Sequence, residues 1–347
     1  MEFLIYFFAY VLTIIFIFFP NLFTGKTVFF IWYLFSIFLS LIIRSSIGAT
    51  ESADIDGYIE NMQREDIISF SYYFREPIFW FGIRFLYDLI GDGAYVFVFL
   101  DLIVFLLIYI AFSKCRKSFY PAIDPSCLNY LLFAALLFFP YVLGMHNTYR
   151  QLMATFIFLI SIGLIGESKV IKGYAASLVA VLIHNPVAIF FPILVMSMKN
   201  IFFKYSSVII LAIILFSFQF LLQIDSAYLD RENTIEIGRN IQYLYMITLA
   251  LIFMILISFE ALTKNKRDFA LMSIFFILLI TNIFAAFFFT SDQAQRIIFY
   301  VFGFLFPFIG FYFELRFKPK ILSKLIFFHA ALAPLLLIYN TTIDLSL

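Results

Sequence analysis

The sequence predicts an all-α polytopic membrane protein, with residues 1–347 forming a single integral membrane domain. Hydrophobic residues make up 64% of the chain and charged residues only 13%, whereas soluble domains carry roughly 25% charged residues. The mean hydropathy is +1.02. The apolar residues are also gathered into stretches of the ~17–25 residues that a membrane-spanning helix needs. Together these observations exclude an ordinary soluble domain.

Ten stretches are long and apolar enough to be full transmembrane helices. They are residues 3–20, 27–43, 93–113, 127–143, 148–166, 206–223, 241–262, 269–290, 296–313 and 325–340. Residues 77–90 are apolar but too short, and 170–198 are too long for one helix and are interrupted at His184-Asn185-Pro186. We predict a broken helix pair over 170–198. Its tip should face a cavity, because irregular backbone at membrane depth is tolerated only where protein or water covers it.

The placement of lysines predicts which ends of the helices are cytoplasmic. Short basic links at 114–117, 169–172, 264–267 and 316–324 indicate the cytoplasmic side. If 170–198 returns as a hairpin, every lysine lies on that side, the outer side keeps only arginines, and both termini lie outside.

Two outer regions then remain. The first, residues 44–92, contains amphipathic segments that are typical of helices lying in the membrane interface. The second, residues 224–240, is charged and would be either a lid or a solvated connection.

Two arginines occur in the first turns of helices that should begin at the outer surface. Arg150 follows possible capping residues at 147–148, and Arg296 follows others at 291–292. An arginine opposes the helix dipole at this position, whereas helix N-termini and guanidinium groups both bind phosphate. We therefore predict that Arg150 and Arg296 bind a diphosphate. The alternative is that each reaches lipid headgroups or pairs with a loop acid.

Three side chains are candidates for a general base. His184 lies at the helix break, where it is either a base or a structural hydrogen-bonding residue. Asp54 and Asp56 form an Asp-x-Asp in the first outer region and are either a base for a sugar hydroxyl or solvated loop acids. Asp101 is a further buried acid within a predicted span, and its structural alternative is a hydrogen bond between helices.

Neither metal nor nucleic acid is an expected ligand. The three histidines and two cysteines show no ligand spacing. A net charge of +1 indicates no polyanionic partner. We expect no cofactor.

The order of these features resembles the EpsG family, a group of Wzy-type polysaccharide polymerases. The residues that carry the resemblance are Arg44, Ile47-Gly48…Asp54…Tyr58, Glu76-Pro77-Ile78-Phe79-Trp80, Asn147-Thr148-Tyr149-Arg150-Gln151…Ala154, His184, and Gln295-Arg296…Tyr300. They extend through most of the chain. Acidic residues followed by interface helices in the first outer region also resemble membrane glycosyltransferases of the GT-C class.

The resemblance implies a glycosyltransferase of the bacterial inner membrane whose active site faces the periplasm. Such an enzyme transfers a growing glycan from undecaprenyl diphosphate to the non-reducing end of the next lipid-linked repeat unit. Arg150, Arg296 and Arg44 would bind the diphosphate, and Asp54, Asp56 or His184 would be the base. The residues expected to contact substrate are Tyr58, Glu76, Tyr149, Gln151, Asn185 and Arg239.

The expected partners are lipid-linked oligosaccharides, membrane lipids and a chain-length regulator protein. Two other functions use similar features. An O-antigen ligase or another lipid-carrier transferase would share the donor and differ in the acceptor. A transporter or flippase of lipid-linked sugar would also contain broken helices, although the sequence has no second broken pair that matches 170–198.

Overall fold

A computed structural model describes residues 2–45, 53–64, 72–146, 148–196, 274, 277–283, 291–316 and 319–342. Every regular element within these residues is helical. The helices are α1 (Glu2–Phe18), α2 (Gly25–Ser45), α3 (Ala53–Gln63), α4 (Tyr72–Arg75), α5 (Pro77–Ile90), α6 (Gly93–Phe119), α7 (Cys127–Ala135), α8 (Phe139–His146), α9 (Tyr149–Gly166), α10 (Val170–Ile183), a 3₁₀ helix (Asn185–Phe190), α11 (Phe191–Met196), α12 (Ser291–Arg316) and α13 (Lys320–Thr342).

Four described helices are long and apolar enough to cross a membrane, namely α2, α6, α9 and the segment Ile297–Leu315 of α12. The bent pair α7 and α8 would make a fifth. The helix α1 is apolar over Leu4–Phe18 but shorter. The sequence predicted about ten spans, and that number stays a prediction. The spans 206–223 and 241–262 and the second outer region at 224–240 lie outside the described residues, as does most of 269–290.

The predicted span at 127–143 is divided into two helices, α7 and α8, bent by 58°. Pro140 lies at the start of α8, and proline disfavours helical backbone in the residue before it. Because α7 ends early, its last carbonyl groups need partners outside the helix. Trp32, which is fully buried, donates its indole N–H to the carbonyl of Leu132 at 2.8 Å. Packing from α2 thus stabilises the interruption.

The predicted break in 170–198 is confirmed. The helix α10 ends at Ile183, His184 is extended (φ −153°, ψ 106°), and the 3₁₀ helix follows with Pro186 in its first turn. Proline has no N–H and pushes the preceding residues out of the helical region. With 14 residues, α10 is about 21 Å long, which is shorter than the ~30 Å hydrocarbon core. The helix α10 is therefore too short to be a full span by itself.

The first outer region contains the helices α3, α4 and α5, in agreement with its predicted helical character. The bounds of α5 coincide with the short apolar stretch at 77–90. Gly91 ends α5 with a φ of 77°, a conformation that favours glycine. Asp92 then caps α6 by accepting N–H bonds from Ala94 and Tyr95 at 2.8 and 3.1 Å. Arg84 on α5 donates to the carbonyl of Met62 at 2.6 Å, which connects α5 to the end of α3.

The helix α9 lies at the centre of the bundle, against α6, α10 and α12. Small residues allow this close approach. A Cβ atom added to Gly163 would lie 2.7 Å from the Cβ of Lys114 on α6, and one added to Gly303 on α12 would lie 2.7 Å from Thr155. Aromatic residues fill much of the interior, where Phe97, Phe112 and many others are fully buried.

The two ends of the bundle differ in charge. At one end Glu167, between α9 and α10, pairs with Lys114 at 3.2 Å and with Lys169 at 2.6 Å. Because α9 and α10 are joined by a tight turn there, the start of α9 and the end of α10 meet at the opposite end. That end carries Arg150 and His184. The ion pairs of Lys114 and Lys169 thus lie at the end of α9 and α10 opposite to Arg150 and His184.

Candidate functional site

The Glu76 carboxylate joins two other ionisable side chains at the lysine-poor end of the bundle. Its Oε2 forms an ion pair with Nη1 of Arg150. Its Oε1 lies 2.5 Å from Nδ1 of His184 and also accepts the backbone N–H of Asn185 at 3.4 Å. The three side chains are 5%, 18% and 12% exposed respectively. We call Glu76, Arg150 and His184 the ionic cluster.

Local sequence explains how each member reaches the cluster. Glu76 precedes α5 in non-helical conformation (φ −133°, ψ 60°), and Pro77 fixes the first turn after it. Arg150 is the second residue of α9, as predicted. Thr148 occupies the predicted cap position, but its side chain makes no capping bond, so the expected capping interaction is wrong for Thr148. Asn147 lies outside the described residues.

Aromatic side chains surround the Arg150 guanidinium. Its Nε donates to the Tyr58 hydroxyl at 3.2 Å. Its Cζ lies 5.3 Å from the ring centroid of Tyr58 and 5.2 Å from that of Trp80, within the range of cation–π interactions. Of the two alternatives weighed from the sequence, pairing with an acid of the outer region is thus observed for Arg150. A guanidinium has five N–H donors, so these contacts are compatible with an additional phosphate ligand.

Arg44 is held in a separate buried network. Its Nε and Nη2 each lie 2.9 Å from an oxygen of Asp101, and Nη2 also donates to the Met145 carbonyl at 2.9 Å. Ser40 donates to Asp101 at 2.6 Å. Arg44 is 3% exposed and Asp101 fully buried, so the predicted interhelical bond of Asp101 is confirmed. The enclosure of Arg44 favours a role in joining α2, α6 and α8. Its part in diphosphate binding stays a prediction.

Two of the residues expected to contact substrate are enclosed by protein. Tyr149 is fully buried, with its ring 5.3 Å from that of Phe97 and 5.6 Å from the Arg44 guanidinium. Gln151 is 2% exposed. Tyr149 therefore lies between the buried network and the ionic cluster. Asn185, in contrast, is half-buried and contacts Glu76 directly.

The helix α12 adds Tyr300 to the site. The ring of Tyr300 is stacked on His184, with centroids 6.1 Å apart and an interplanar angle of 26°. Arg296 lies one turn earlier on α12, about 6 Å along the helix axis, and its side chain is outside the described part of the chain. The backbone therefore brings position 296 to the same end of the bundle as Arg150.

The remaining predicted residues are only partly covered. Tyr58 contacts Arg150 from α3, and Asp56, two positions earlier on that helix, is half-buried. Asp54 lies on α3, but its side chain is outside the described residues, and Arg239 is outside them entirely. Asp54 and Asp56 therefore stay predicted candidates for the general base.

The ionic cluster holds Glu76 in its charged form. Burial raises the pKa of this carboxyl group, but the hydrogen bond and charge of His184 and the ion pair with Arg150 outweigh burial. The pKa of Glu76 consequently lies below its usual value. Sequence reasoning gave Glu76 a role in substrate binding and missed its bonds to Arg150 and His184. The only signal in the sequence was an acid placed directly before a proline and a run of aromatic residues.

Comparison with protein-family models gives one match, to the model described as the EpsG family, over residues 29–345. Neither the curated proteins nor the solved structures give a match. The matched range contains both the ionic cluster and the buried network around Arg44. It also extends well beyond half of the chain, so that the match is not confined to one motif. The chain therefore belongs to the EpsG family.

Proposed function

We propose that the protein is a glycosyltransferase that polymerises undecaprenyl-diphosphate-linked repeat units. It would transfer the growing chain to the non-reducing end of a new lipid-linked unit. Membership of the EpsG family supports a role in membrane polysaccharide biosynthesis. The observation that carries the proposal is the ionic cluster, which places a guanidinium and an imidazole together, largely buried, at one end of a membrane helix bundle.

The chemistry requires a cation for the leaving group and a base for the acceptor. The acceptor hydroxyl oxygen attacks the anomeric carbon, and the bond from that carbon to the diphosphate breaks. The electron pair stays on the diphosphate oxygen, and the hydroxyl proton passes to the base. A fixed guanidinium at Arg150 would stabilise the charge that develops on the diphosphate. Arg296, near the start of α12, is the proposed second ligand, because helix N-termini also favour phosphate.

The side of the membrane on which the site lies is also part of the proposal. The ion pairs of Lys114 and Lys169 lie at the end of α9 and α10 opposite to the ionic cluster, which supports a cytoplasmic lysine end and a periplasmic site in the inner membrane. The helices α3–α5 next to the site suit a GT-C-like arrangement. A chain-length regulator would then act on the same product from outside this chain.

The proposal is tested with purified protein in detergent and its lipid-diphosphate-linked repeat unit. We expect wild-type protein to give a ladder of products and Arg150→Ala to lose it. Because that change leaves Glu76 without its cation, Arg150→Lys is compared as well; it keeps the charge but not the bidentate fork, and we expect activity reduced at least about tenfold. Arg64→Ala is the matched control, since Arg64 is 44% exposed on the same outer region.

Two results would overturn the polymerase, and a third would overturn the role of the ionic cluster. A single addition of glycan to a non-repeat acceptor would assign a ligase. Movement of the same lipid across a vesicle bilayer without a longer product would assign a transporter. A full ladder from both Arg150 variants would remove the role of the ionic cluster.

A further inference from the structure

The contact between Glu76 and His184 fixes which imidazole nitrogen faces the carboxylate. The Oε1 of Glu76 lies 2.5 Å from Nδ1 of His184. An ionised carboxylate can only accept hydrogen bonds, and the ion pair with Arg150 favours the ionised form of Glu76. Nδ1 must therefore carry a proton and donate it. In the neutral ring, Nε2 then holds the lone pair that can take up a proton.

The imidazole ring is also held by its other neighbours. Tyr300 stacks against it from α12. The backbone at the break is fixed next to Glu76, because the Asn185 N–H donates to the same Oε1 atom at 3.4 Å. His184 is 12% exposed. A general base needs this combination of a fixed orientation and limited solvent access.

We propose that His184 is the general base of the transfer and that Glu76 is its positioning residue, which holds the ring in the Nδ1–H form. This inference rests on the proposed glycosyltransferase function. It selects His184 over Asp54 and Asp56, and it gives Glu76 a role other than substrate binding.

The proton balance of the step follows from this assignment. As the acceptor oxygen bonds to the anomeric carbon, its proton moves to Nε2 of His184, and the diphosphate leaves with the electron pair of the broken bond. The imidazolium is stabilised by the Glu76 carboxylate, which stays ionised throughout. Water removes the proton after the product has formed. Arg150, bonded to the other Glu76 oxygen, keeps that carboxylate in place.

The first measurement is the rate of polymerisation by Glu76→Gln. The amide carries no charge, and because it can donate to Nδ1 as well as accept from it, it no longer fixes the ring in the Nδ1–H form. We expect kcat to fall on the order of 10²-fold, which is at the low end of the effect of general base catalysis, because the base remains but is no longer oriented. KM should change less than about threefold. Glu60→Gln is the matched control, because Glu60 is 75% exposed on α3; it should keep the wild-type rate. His184→Gln should lose at least as much activity as Glu76→Gln.

The second measurement is the pH profile of kcat, which a purely structural role would not move. Among the described residues, Glu76 and Tyr300 face His184, and Arg150 and Tyr58 lie behind Glu76. We expect wild-type activity to fall on acidification as His184 becomes protonated. In Glu76→Gln this acid limb should move to lower pH, because the imidazolium has lost its counter-charge while Arg150 is unchanged.

The outcomes separate this inference from the proposed function. If wild-type protein makes no ladder, the proposed function fails. If it makes a ladder and Glu76→Gln retains the wild-type kcat or acid limb, only the positioning role fails. Activity lost as pH rises through the same range would make His184 a cationic ligand instead of a base.

Folding and the rival acids are checked in the same series. Thermal unfolding in detergent identifies any variant that does not fold; in that case Glu76→Asp, which keeps the charge, should restore the acid limb. An active His184→Gln together with an inactive Asp54→Asn or Asp56→Asn would assign the base to α3 and overturn the inference.

Discussion

The buried pair of Arg44 and Asp101 gives a stability prediction whose magnitude follows from its contacts. Asp101 accepts three hydrogen bonds, one from Ser40 and two from Arg44. Both members of the pair are almost completely enclosed, at 2% and 0% side-chain exposure. Asp101→Ala removes all three bonds. The buried Arg44 guanidinium then keeps its hydrogen bond to the Met145 carbonyl but loses its counter-charge. Removing one partner of such a pair costs about 3–5 kcal/mol.

The complementary change is Arg44→Ala, which leaves the Asp101 carboxylate buried with Ser40. We expect a similar loss of about 3–5 kcal/mol. The double variant Arg44→Ala, Asp101→Ala removes both charges and closes the double-mutant cycle. It should lose less than the sum of the single variants, with a coupling energy of about 1–3 kcal/mol, because no uncompensated charge remains.

The assay is reversible unfolding in mixed micelles, with the denaturing detergent varied and the free energy of unfolding extrapolated to zero. Arg64→Ala, at an exposed arginine, serves as a control and should change stability by less than about 0.5 kcal/mol. The stabilising role of the buried pair would be refuted if the single variants lost less than about 1 kcal/mol, or if their two losses simply added in the double variant. Such a result would also favour the predicted role of Arg44 as a diphosphate ligand.

Three further predictions concern packing, pH and the helix break. Gly163→Ala should lose about 1–3 kcal/mol in the same assay, because its Cβ would meet α6 at 2.7 Å; the control Gly82→Ala has open space and should not lose stability. The pKa of Glu167 is lowered, chiefly by its bond to a neighbouring lysine, so its contribution to the stability of the protein is present at neutral pH and is lost as pH falls below about 4.3. Glu167→Gln should be less stable than wild type at pH 7 by on the order of 1 kcal/mol and should lose less stability on acidification. Equal dependence of stability on pH in the two proteins would contradict this. Pro186→Ala should lose about 1 kcal/mol and slow polymerisation by freeing His184, whereas a wild-type rate would show that the proline does not hold the site.

Helix positions could be predicted from the sequence where local signals suffice. The short helix α5 has the predicted bounds, and the break after α10 lies at the predicted His184. In each case a proline, or the point at which an apolar stretch ends, marks the end of the helix within a few residues. Arg150 was correctly placed in the first turn of α9 for the same reason. The bend between α7 and α8 was missed although Pro140 lies in the apolar run at 127–143, because the proline alone does not decide an interruption that Trp32 stabilises from another helix.

The amino-acid sequence by itself determined the class of protein, the helices with clear ends, the ionisable residues inside apolar segments and the family resemblance that the comparison confirmed. Only the tertiary structure decided which charges pair. Glu76 bonds to residues 74 and 108 positions away, and Arg44 to one 57 positions away. A local pattern specifies that a charge is present, but its partner depends on which helices are neighbours. In a low-dielectric interior that partner decides whether an arginine stabilises the bundle or is available to bind substrate.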